Sequence, residues 1–170
     1  MILALSGSTR HTSVNKAILD FITTAYPSLN ITTYDLSLLP HFNPDLTDDT
    51  ALPQPAREFI AAIEQAAGII ICTPEYVFSL PGIIKNAIEW TVATTVFQDK
   101  PTALIVASLS GQKAFESLDL VMTTVGARTT PATKILITGA YSKLNKATGA
   151  LDDHTVAQLR DLIQNFTQLL

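Results

Sequence analysis

Apolar and polar residues alternate along the chain in two different rhythms. In the first, short apolar runs stand between turn-forming residues, which is typical of buried strands. Residues 2–5, 69–72 and 103–107 are such runs, and the segments 31–34 and 134–137 are predicted as further strands. In the second, apolar residues recur every three or four positions, as they do on one face of a helix. The helical patterns cover residues 14–25, 56–67, 83–94, 115–125 and 156–166.

Five strands that alternate with five helices predict an α/β fold. The run 69–72 is apolar at every position, which suits a strand covered on both faces. We therefore expect a three-layer sandwich, with a five-stranded parallel sheet between helices on both faces. A doubly wound sheet of this size favours the strand order 2-1-3-4-5. The length of 170 residues fits one domain, residues 1–170, with a sizeable core.

The amino-acid composition limits the kinds of partner that the protein is expected to bind. Charged residues make up 15% of the chain, below the usual value of about 25%, which hints that a partner subunit covers some surface. The net charge of -4, without a cluster of Lys and Arg, argues against nucleic acid or an anionic membrane. The single cysteine, Cys72, excludes an intrachain disulfide and is expected in the core. The apolar start is too short for a signal peptide and no run approaches transmembrane length, so we expect a cytoplasmic protein.

The loop after the first predicted strand carries groups that suit a phosphate. Ligands of such sheets bind beyond the carboxyl ends of the strands. Arg10 would supply charge there, while hydroxyls and an amide would supply hydrogen bonds beside a helix N-terminus: Ser8, Ser13 and Asn15. The same sequence also fits a purely structural role, with Ser13 as an N-cap and Gly7 in a tight turn.

The loop after the third predicted strand, residues 73–82, is stiffened by two prolines and a glycine. A stiff loop holds its backbone groups at fixed positions, as binding beside a planar ring such as a flavin requires. The alternative is a rigid connector in which Tyr76 and Phe78 serve packing. Trp90 lies a full helix away and is expected in the core.

Several segments, in order along nearly the whole chain, resemble the NADPH-dependent FMN reductase family. They cover residues 7–10, 13–15, 39–46, 73–76, 79–82, 85–90 and 148–153. That family includes quinone, azo-dye and chromate reductases on a flavodoxin-like fold. The resemblance implies that FMN is the cofactor, with NADPH or NADH as co-substrate, and that the chain forms a homodimer or homotetramer with sites near the subunit interface.

The resemblance also implies three groups of cofactor-binding residues and no catalytic side chain, and no metal is expected because His41 and His154 have no Cys or carboxylate partner at ligand spacing. The first group holds the FMN phosphate: Ser8, Arg10, Ser13, Val14 and Asn15. The second lies along the isoalloxazine and bonds it through backbone: Pro74, Glu75, Tyr76 and Val77. The third closes the other edge of the ring: Ser108, Leu109, Ser110 and Gly111.

The expected reaction is a ping-pong transfer of a hydride from the nicotinamide and then of electrons to a small acceptor. That acceptor is a quinone, an azo compound, a flavin or a metal oxyanion. An electron-carrying flavodoxin, a regulatory flavin-binding or flavin-free module, and a hydrolase or transferase on the same fold remain alternatives. Two departures from the family favour the regulatory module among these alternatives, since Val77 replaces the usual Asn and the loop 108–112 is short.

The sequence also bears on charged side chains outside the proposed flavin contacts. A 2′-phosphate on the nicotinamide nucleotide needs a cation, and the sequence offers Arg10, Arg128 or a neighbouring subunit. His11 is expected to be an exposed loop residue, and Asp45, Asp48 and Asp49 are expected to keep the loop that contains them hydrated.

Overall fold

Five short segments form the strands of the computed structural model, and the three central strands are the most buried. The structure describes residues 1–10, 12–48, 50–145 and 147–170, so the expectations for His11 and Asp49 lie outside the described residues. The strands are β1 (Ile2–Ser6), β2 (Ile31–Tyr34), β3 (Gly68–Thr73), β4 (Thr102–Ala107) and β5 (Lys134–Ile137). The helices are α1 (Val14–Ala25), α2 (Gln54–Gln65), α3 (Gly82–Glu89), α4 (Gln112–Thr124) and α5 (Asp153–Thr167).

All five strands run parallel in the order β2-β1-β3-β4-β5, which confirms the predicted topology. Ile2 of β1 is in register with Ile31 of β2 on one side and with Gly68 of β3 on the other. Every strand therefore ends at the same edge of the sheet. The loops that follow β1, β3 and β4 meet at that edge, beside the point where the strand order reverses.

Each face of the sheet has its own hydrophobic core. Successive side chains of a strand point to opposite faces. In β3, Ile69 and Ile71 pack with residues of α2, α3 and α4, whereas Ile70 and Cys72 pack with residues of α1 and α5. All four side chains are fully buried, as expected for a strand covered on both sides.

Two helices end earlier than their patterns predict. Helix α3 ends at Glu89 rather than Thr94, because residues 91–94 form turns in which threonine hydroxyls bond backbone carbonyls (Thr91 Oγ1 to Ile88 O, 2.8 Å). Such side-chain bonds compete with the helical ladder. Ala67 lies beyond α2, which ends at Gln65, and it is exposed rather than on the buried face.

The loop 39–46 is attached to α3 by polar bonds from one face of the helix. Trp90 Nε1 donates to Pro40 O (2.8 Å), and Asn86 Nδ2 donates to the same carbonyl (3.0 Å). Asn86 Oδ1 accepts from Phe42 N–H (2.8 Å), and the Phe42 ring meets Trp90 edge-on with centroids 5.3 Å apart. Trp90 is 1% exposed, so its assignment to the core is confirmed. Two of the segments that carry the family resemblance therefore contact each other directly.

Candidate functional site

A cleft opens where the loops after β1, β3 and β4 meet. Nine of the residues predicted to bind a cofactor line it: Ser8, Arg10, Ser13, Val14, Asn15, Pro74, Glu75, Tyr76 and Ser108. Four other predicted residues, Val77, Leu109, Ser110 and Gly111, do not. Val77 points to solvent and is 96% exposed. The fold thus assembles one site from segments about 60 and 90 residues after the first, as expected for loops that follow parallel strands.

Gly7 allows the first loop to lie directly against the end of β3. Its N–H donates to Cys72 O (2.9 Å). A Cβ at this position would lie 1.9 Å from Thr73 Oγ1 and 2.9 Å from Ile84 Cγ1. The glycine is therefore required by close approach, which is one of the reasons for glycine beside a ligand site.

The N-terminus of α1 points into the cleft with its positive end uncompensated. Ser13 is the N-cap, and its Oγ accepts a hydrogen bond from Lys16 N–H (3.0 Å), which confirms the capping interpretation. The first turn of α1 contains no acidic residue. The N–H groups of Val14 and Asn15 have no acceptor inside the helix. A capped helix end with free N–H groups is suited to bind an anion.

Ser8 and Arg10 stand beside that helix end. Ser8 Oγ accepts from Arg10 N–H (3.3 Å), so the two residues are held in one turn. The Arg10 side chain is exposed and makes no ion pair with a residue that the structure describes. The guanidinium is therefore available to an anionic ligand.

Asn15 connects α1 to the central strands. Its side chain is 4% exposed, and Nδ2 donates to Ala107 O at the end of β4 (3.1 Å). Its Oδ1 accepts from the Cys72 thiol (3.3 Å). Burial raises the pKa of that thiol, so the thiol stays protonated and able to donate. Cys72 is thus a core residue, as predicted, whereas a bond from the Asn15 side chain to phosphate stays a prediction.

The second loop contains a tight hairpin turn at residues 76–79. Tyr76 N–H donates to Ser79 O, and Ser79 N–H donates to Tyr76 O, both at 3.1 Å. The two central residues have left-handed backbones, with φ of 52° at Val77 and 53° at Phe78. Positive φ at both central positions defines a type I′ turn, which prefers Asn and Gly. Because Tyr76 N–H is used, the N–H groups of Glu75 and Val77 on either side of it are two of the donors of this loop that have no acceptor among the described residues.

Glu75 has a role that sequence patterns did not indicate. Its Oε1 accepts from Gly111 N–H (3.1 Å), and its Oε2 accepts from Lys113 N–H (2.9 Å) and Ala114 N–H (3.0 Å). These are backbone groups at the N-terminus of α4. The carboxylate therefore caps a helix that begins after the next strand, and the second and third loops are bonded together.

The third loop is also bonded to the loop after β5. Gly139 N–H donates to Leu109 O and Ala140 N–H donates to Ser108 O, both at 2.9 Å. The cleft is also lined by three residues that were not predicted: Ala107, the last residue of β4, and Ala140 and Tyr141, which this contact brings to it. The signal for the last two was present, because they follow β5, whose carboxyl end lies at the same edge of the sheet.

Arg128 lies at the opposite edge of the sheet. Its N–H and carbonyl bond to Lys100 and Thr102 at the start of β4, and its guanidinium donates to Leu169 O. Arg128 is therefore removed from the cleft of its own chain, and Arg10 is the arginine that the fold places there.

The cleft offers hydroxyls, free N–H groups and one guanidinium at the α1 end, and stiff backbone donors at the Glu75 end. Such groups bind and orient a ligand, while the Glu75 carboxylate is already engaged by three N–H donors. In the part of the chain that the structure describes, no group of three or more His, Cys, Asp or Glu side chains is placed to hold a metal ion. The described helices also include none that is long and apolar enough to cross a membrane.

Several known proteins are similar to this chain in sequence. The family model for NADPH-dependent FMN reductases matches residues 1–142. An NADH:(hydroxy)cinnamate reductase subunit of Vibrio ruber is 29% identical, over 96% of this chain and 84% of that protein. An NAD(P)H-dependent FMN reductase of Pseudomonas aeruginosa is 32% identical, over 99% of this chain and 92% of that protein.

Among solved structures, FerB, a flavoenzyme NAD(P)H:(acceptor) oxidoreductase from Paracoccus denitrificans, superposes with a TM-score of 0.76. The two chains are 23% identical, and the match covers 99% of this chain and 95% of FerB. This likeness confirms the predicted flavodoxin-like fold. The family match confirms the predicted class of oxidoreductase. At the level of the family, it also confirms FMN as the cofactor and a reduced nicotinamide as the co-substrate. The chain belongs to the NADPH-dependent FMN reductase family.

Proposed function

We propose that this protein binds FMN in the cleft and uses it to transfer electrons from NADPH or NADH to a small acceptor. The observation that carries the proposal is the meeting of an uncompensated helix N-terminus and Arg10 with a stiff, donor-bearing loop at the carboxyl edge of the sheet. The acceptor would be a quinone, an azo compound, a free flavin or a metal oxyanion.

The α1 end of the cleft fits the phosphate of FMN. The Ser8 and Ser13 hydroxyls, the Arg10 guanidinium and the N–H groups of Val14 and Asn15 are the kinds of donor that a phosphate dianion needs. The close approach of Gly7 to Thr73 holds the loop that carries Ser8 and Arg10 against the end of β3. The Asn15 side chain holds the helix end against β3 and β4, and a direct bond from it to the phosphate remains part of the proposal.

The other end of the cleft fits a planar ring. Pro74 is buried, and it fixes the backbone that presents the free N–H groups of Glu75 and Val77. Ser108 lines the facing wall, while the backbone of Leu109 is bonded to Gly139. We assign Leu109, Ser110 and Gly111 to the loop that closes the far edge of the ring.

The chemistry that bound FMN supplies is hydride transfer from the nicotinamide and, after the nicotinamide leaves, electron transfer to the acceptor in a ping-pong sequence. The residues of this chain bind and orient the cofactor. Arg10 and the N-terminus of α1 would bind its negatively charged phosphate, and the backbone of residues 74–77 would fix its ring. No side chain of the described cleft is assigned a proton-transfer step. This division is typical of enzymes whose reactive atoms belong to a cofactor.

A visible absorption spectrum tests the function directly. Protein loaded with FMN and desalted should retain a flavin spectrum, and that spectrum should bleach when NADPH or NADH is added without oxygen. Addition of a benzoquinone should then restore it. A retained flavin that neither nicotinamide bleaches would indicate an electron carrier or regulatory module. The proposal would be overturned if the flavin were lost on desalting and equilibrium titrations also showed no FMN binding.

The same titration in the variant Arg10→Ala tests the phosphate assignment. Loss of a charge-assisted hydrogen bond is expected to weaken FMN binding by about 1–3 kcal/mol. Arg160→Ala provides the matched control, because Arg160 is an exposed arginine of α5 that does not line the cleft. Equal FMN affinity in the two variants would refute the role of Arg10.

A further inference from the structure

Helix α4 begins at a residue that has no side chain with which to cap it. Gly111 is the N-cap and has a left-handed backbone with φ of 87°. A Cβ there would lie 2.7 Å from Leu136 Cδ1 and 3.2 Å from Val106 Cγ1, so a capping Ser or Asp does not fit. The N–H groups at this helix end therefore need an acceptor from elsewhere in the chain.

Glu75 provides that acceptor from 36 residues earlier in the chain. Both oxygens of its carboxylate are used, one by Gly111 N–H and the other by Lys113 N–H and Ala114 N–H, over 2.9–3.1 Å. Three bonds to one ionised group are stronger than those of a neutral cap.

The same carboxylate holds together the two walls of the cleft. Glu75 lies between Pro74 and Tyr76, which line one wall, and its bonds reach the loop that continues from Ser108 on the other wall. That loop is in turn bonded to the segment after β5 through Gly139 N–H. The position of the Glu75 and Val77 N–H groups relative to Ser108 thus depends on the Glu75 side chain.

The charge of Glu75 has a second consequence. An ionised side chain at a helix N-terminus offsets the positive end of the helix dipole. Of α1 and α4, the helices that follow the first and the third loop, α4 is compensated in this way, whereas α1 has no acidic residue in its first turn. An anion is therefore directed to α1 rather than to α4.

We propose that Glu75 is a positioning residue that sets the spacing between the two ring-facing walls of the cofactor site through its carboxylate bond to the N-terminus of α4. The inference rests on the proposed binding of FMN in this cleft. It assigns to Glu75 an effect on flavin binding that is separate from its contribution to the stability of the fold.

The test compares flavin affinity with stability in three variants. Glu75→Gln replaces one acceptor oxygen by an amide group that cannot accept from N–H. Glu75→Gln with Gln112→Asp returns a negative charge to the first turn of α4, but from within that helix, so the link between the walls stays broken. Glu116→Gln is the matched control, since Glu116 is a carboxylate of α4 that bonds Lys113 and Gln112 and not the 74–77 loop.

Circular dichroism first shows that each apoprotein is folded. FMN affinity is then measured by the quenching of flavin fluorescence on binding, and stability is measured by urea unfolding. We expect Glu75→Gln to weaken FMN binding at least tenfold and to change the visible circular dichroism of bound flavin. Adding Gln112→Asp should move the urea midpoint back toward wild type while FMN affinity stays low. Glu116→Gln should bind FMN within twofold of wild type.

Two outcomes would overturn the positioning role while leaving FMN binding intact. One is FMN affinity within twofold of wild type in Glu75→Gln, and the other is recovery of affinity together with stability on adding Gln112→Asp. If Glu75→Gln does not fold, Glu75→Asp, which keeps the charge but shortens the reach, is judged by the same affinity criterion. Wild-type protein that fails to bind FMN would instead overturn the proposed function itself, and this inference with it.

Discussion

At the residue scale, Val77 occupies a backbone conformation that its side chain disfavours. A β-branched residue at positive φ is a genuine outlier, and such residues cost of order 1–3 kcal/mol and cluster at functional sites. The hairpin bonds between Tyr76 and Ser79 keep Val77 in this conformation. The resemblance to the family implies Asn at this position, and Asn tolerates a left-handed backbone. The physical difference between Val77 and that Asn therefore includes backbone strain as well as a lost amide.

The variant Val77→Asn should stabilise the protein. Val77 is 96% exposed, so the substitution removes strain without loss of buried apolar area. We expect the free energy of unfolding to rise by about 1 kcal/mol, measured by urea denaturation of the apoprotein.

Val92→Asn is the matched control for this prediction. Val92 is 68% exposed and is not among the residues with positive φ. Its replacement should change the free energy of unfolding by no more than about 0.5 kcal/mol. Equal effects of the two substitutions would show that strain at Val77 is not the cause.

At the scale of elements, the helices that begin at the carboxyl edge of the sheet are capped at their N-termini in different ways. Helix α1 has the N-cap Ser13 and a free positive end, while α4 borrows the carboxylate of Glu75. Helix α5 is capped by Asp152, whose Oδ1 accepts from Thr155 N–H (2.7 Å). Only the first of these three helix ends is left to attract an anionic ligand.

The Asp152 cap should make stability depend on pH in the acid range. The hydrogen bond from Thr155 N–H is the main cause that lowers the pKa of Asp152, with a smaller contribution from Lys143. Because the folded pKa lies below the unfolded value of about 3.9, the cap contributes fully above that value and is lost as pH falls through the folded pKa. Asp152→Asn keeps an acceptor oxygen but does not titrate. Its unfolding free energy should therefore fall less steeply than that of wild type below about pH 4.

Urea unfolding at neutral and acid pH separates this effect from capping itself. Asp152→Ala removes the cap at every pH and should cost about 1 kcal/mol at neutral pH. Parallel acid profiles of Asp152→Asn and wild type would contradict the assignment of this pH dependence to Asp152.

At the scale of the whole molecule, large apolar side chains are exposed on the segments that form the cleft. They are Tyr76, Val77, Phe78, Leu109 and Tyr141. Clustered apolar exposure of this kind marks an interaction surface, and charged residues are only 15% of the chain. We propose that a second copy of the chain covers part of this surface.

Sedimentation velocity should accordingly show a dimer or a tetramer rather than a monomer. Phe78→Ser should shift the distribution toward smaller species, because Phe78 is 76% exposed beside the cleft. Leu38→Ser is the control, since Leu38 is 59% exposed but follows the edge strand β2. A wild-type protein that stays monomeric at high concentration would refute the proposal.

The sequence by itself determined the strands, their order and the loops that meet at the site, because these follow from local periodicity and from general rules of chain connection. It also indicated Ser8, Arg10 and Ser13, since they lie within a few residues of a helix start. Local patterns were less accurate where side chains compete with the backbone, as at the end of α3.

Only the tertiary structure decided which side chains are already engaged. The bonds of Glu75 to α4 and of Asn15 to Ala107 join residues 36 to 92 positions apart, and no periodicity records them. The tertiary structure likewise places Arg128 away from the site and holds Val77 in a left-handed backbone conformation. The physical reason is that a pattern of apolar residues specifies which faces are buried, whereas a polar contact depends on where two distant backbones come to lie.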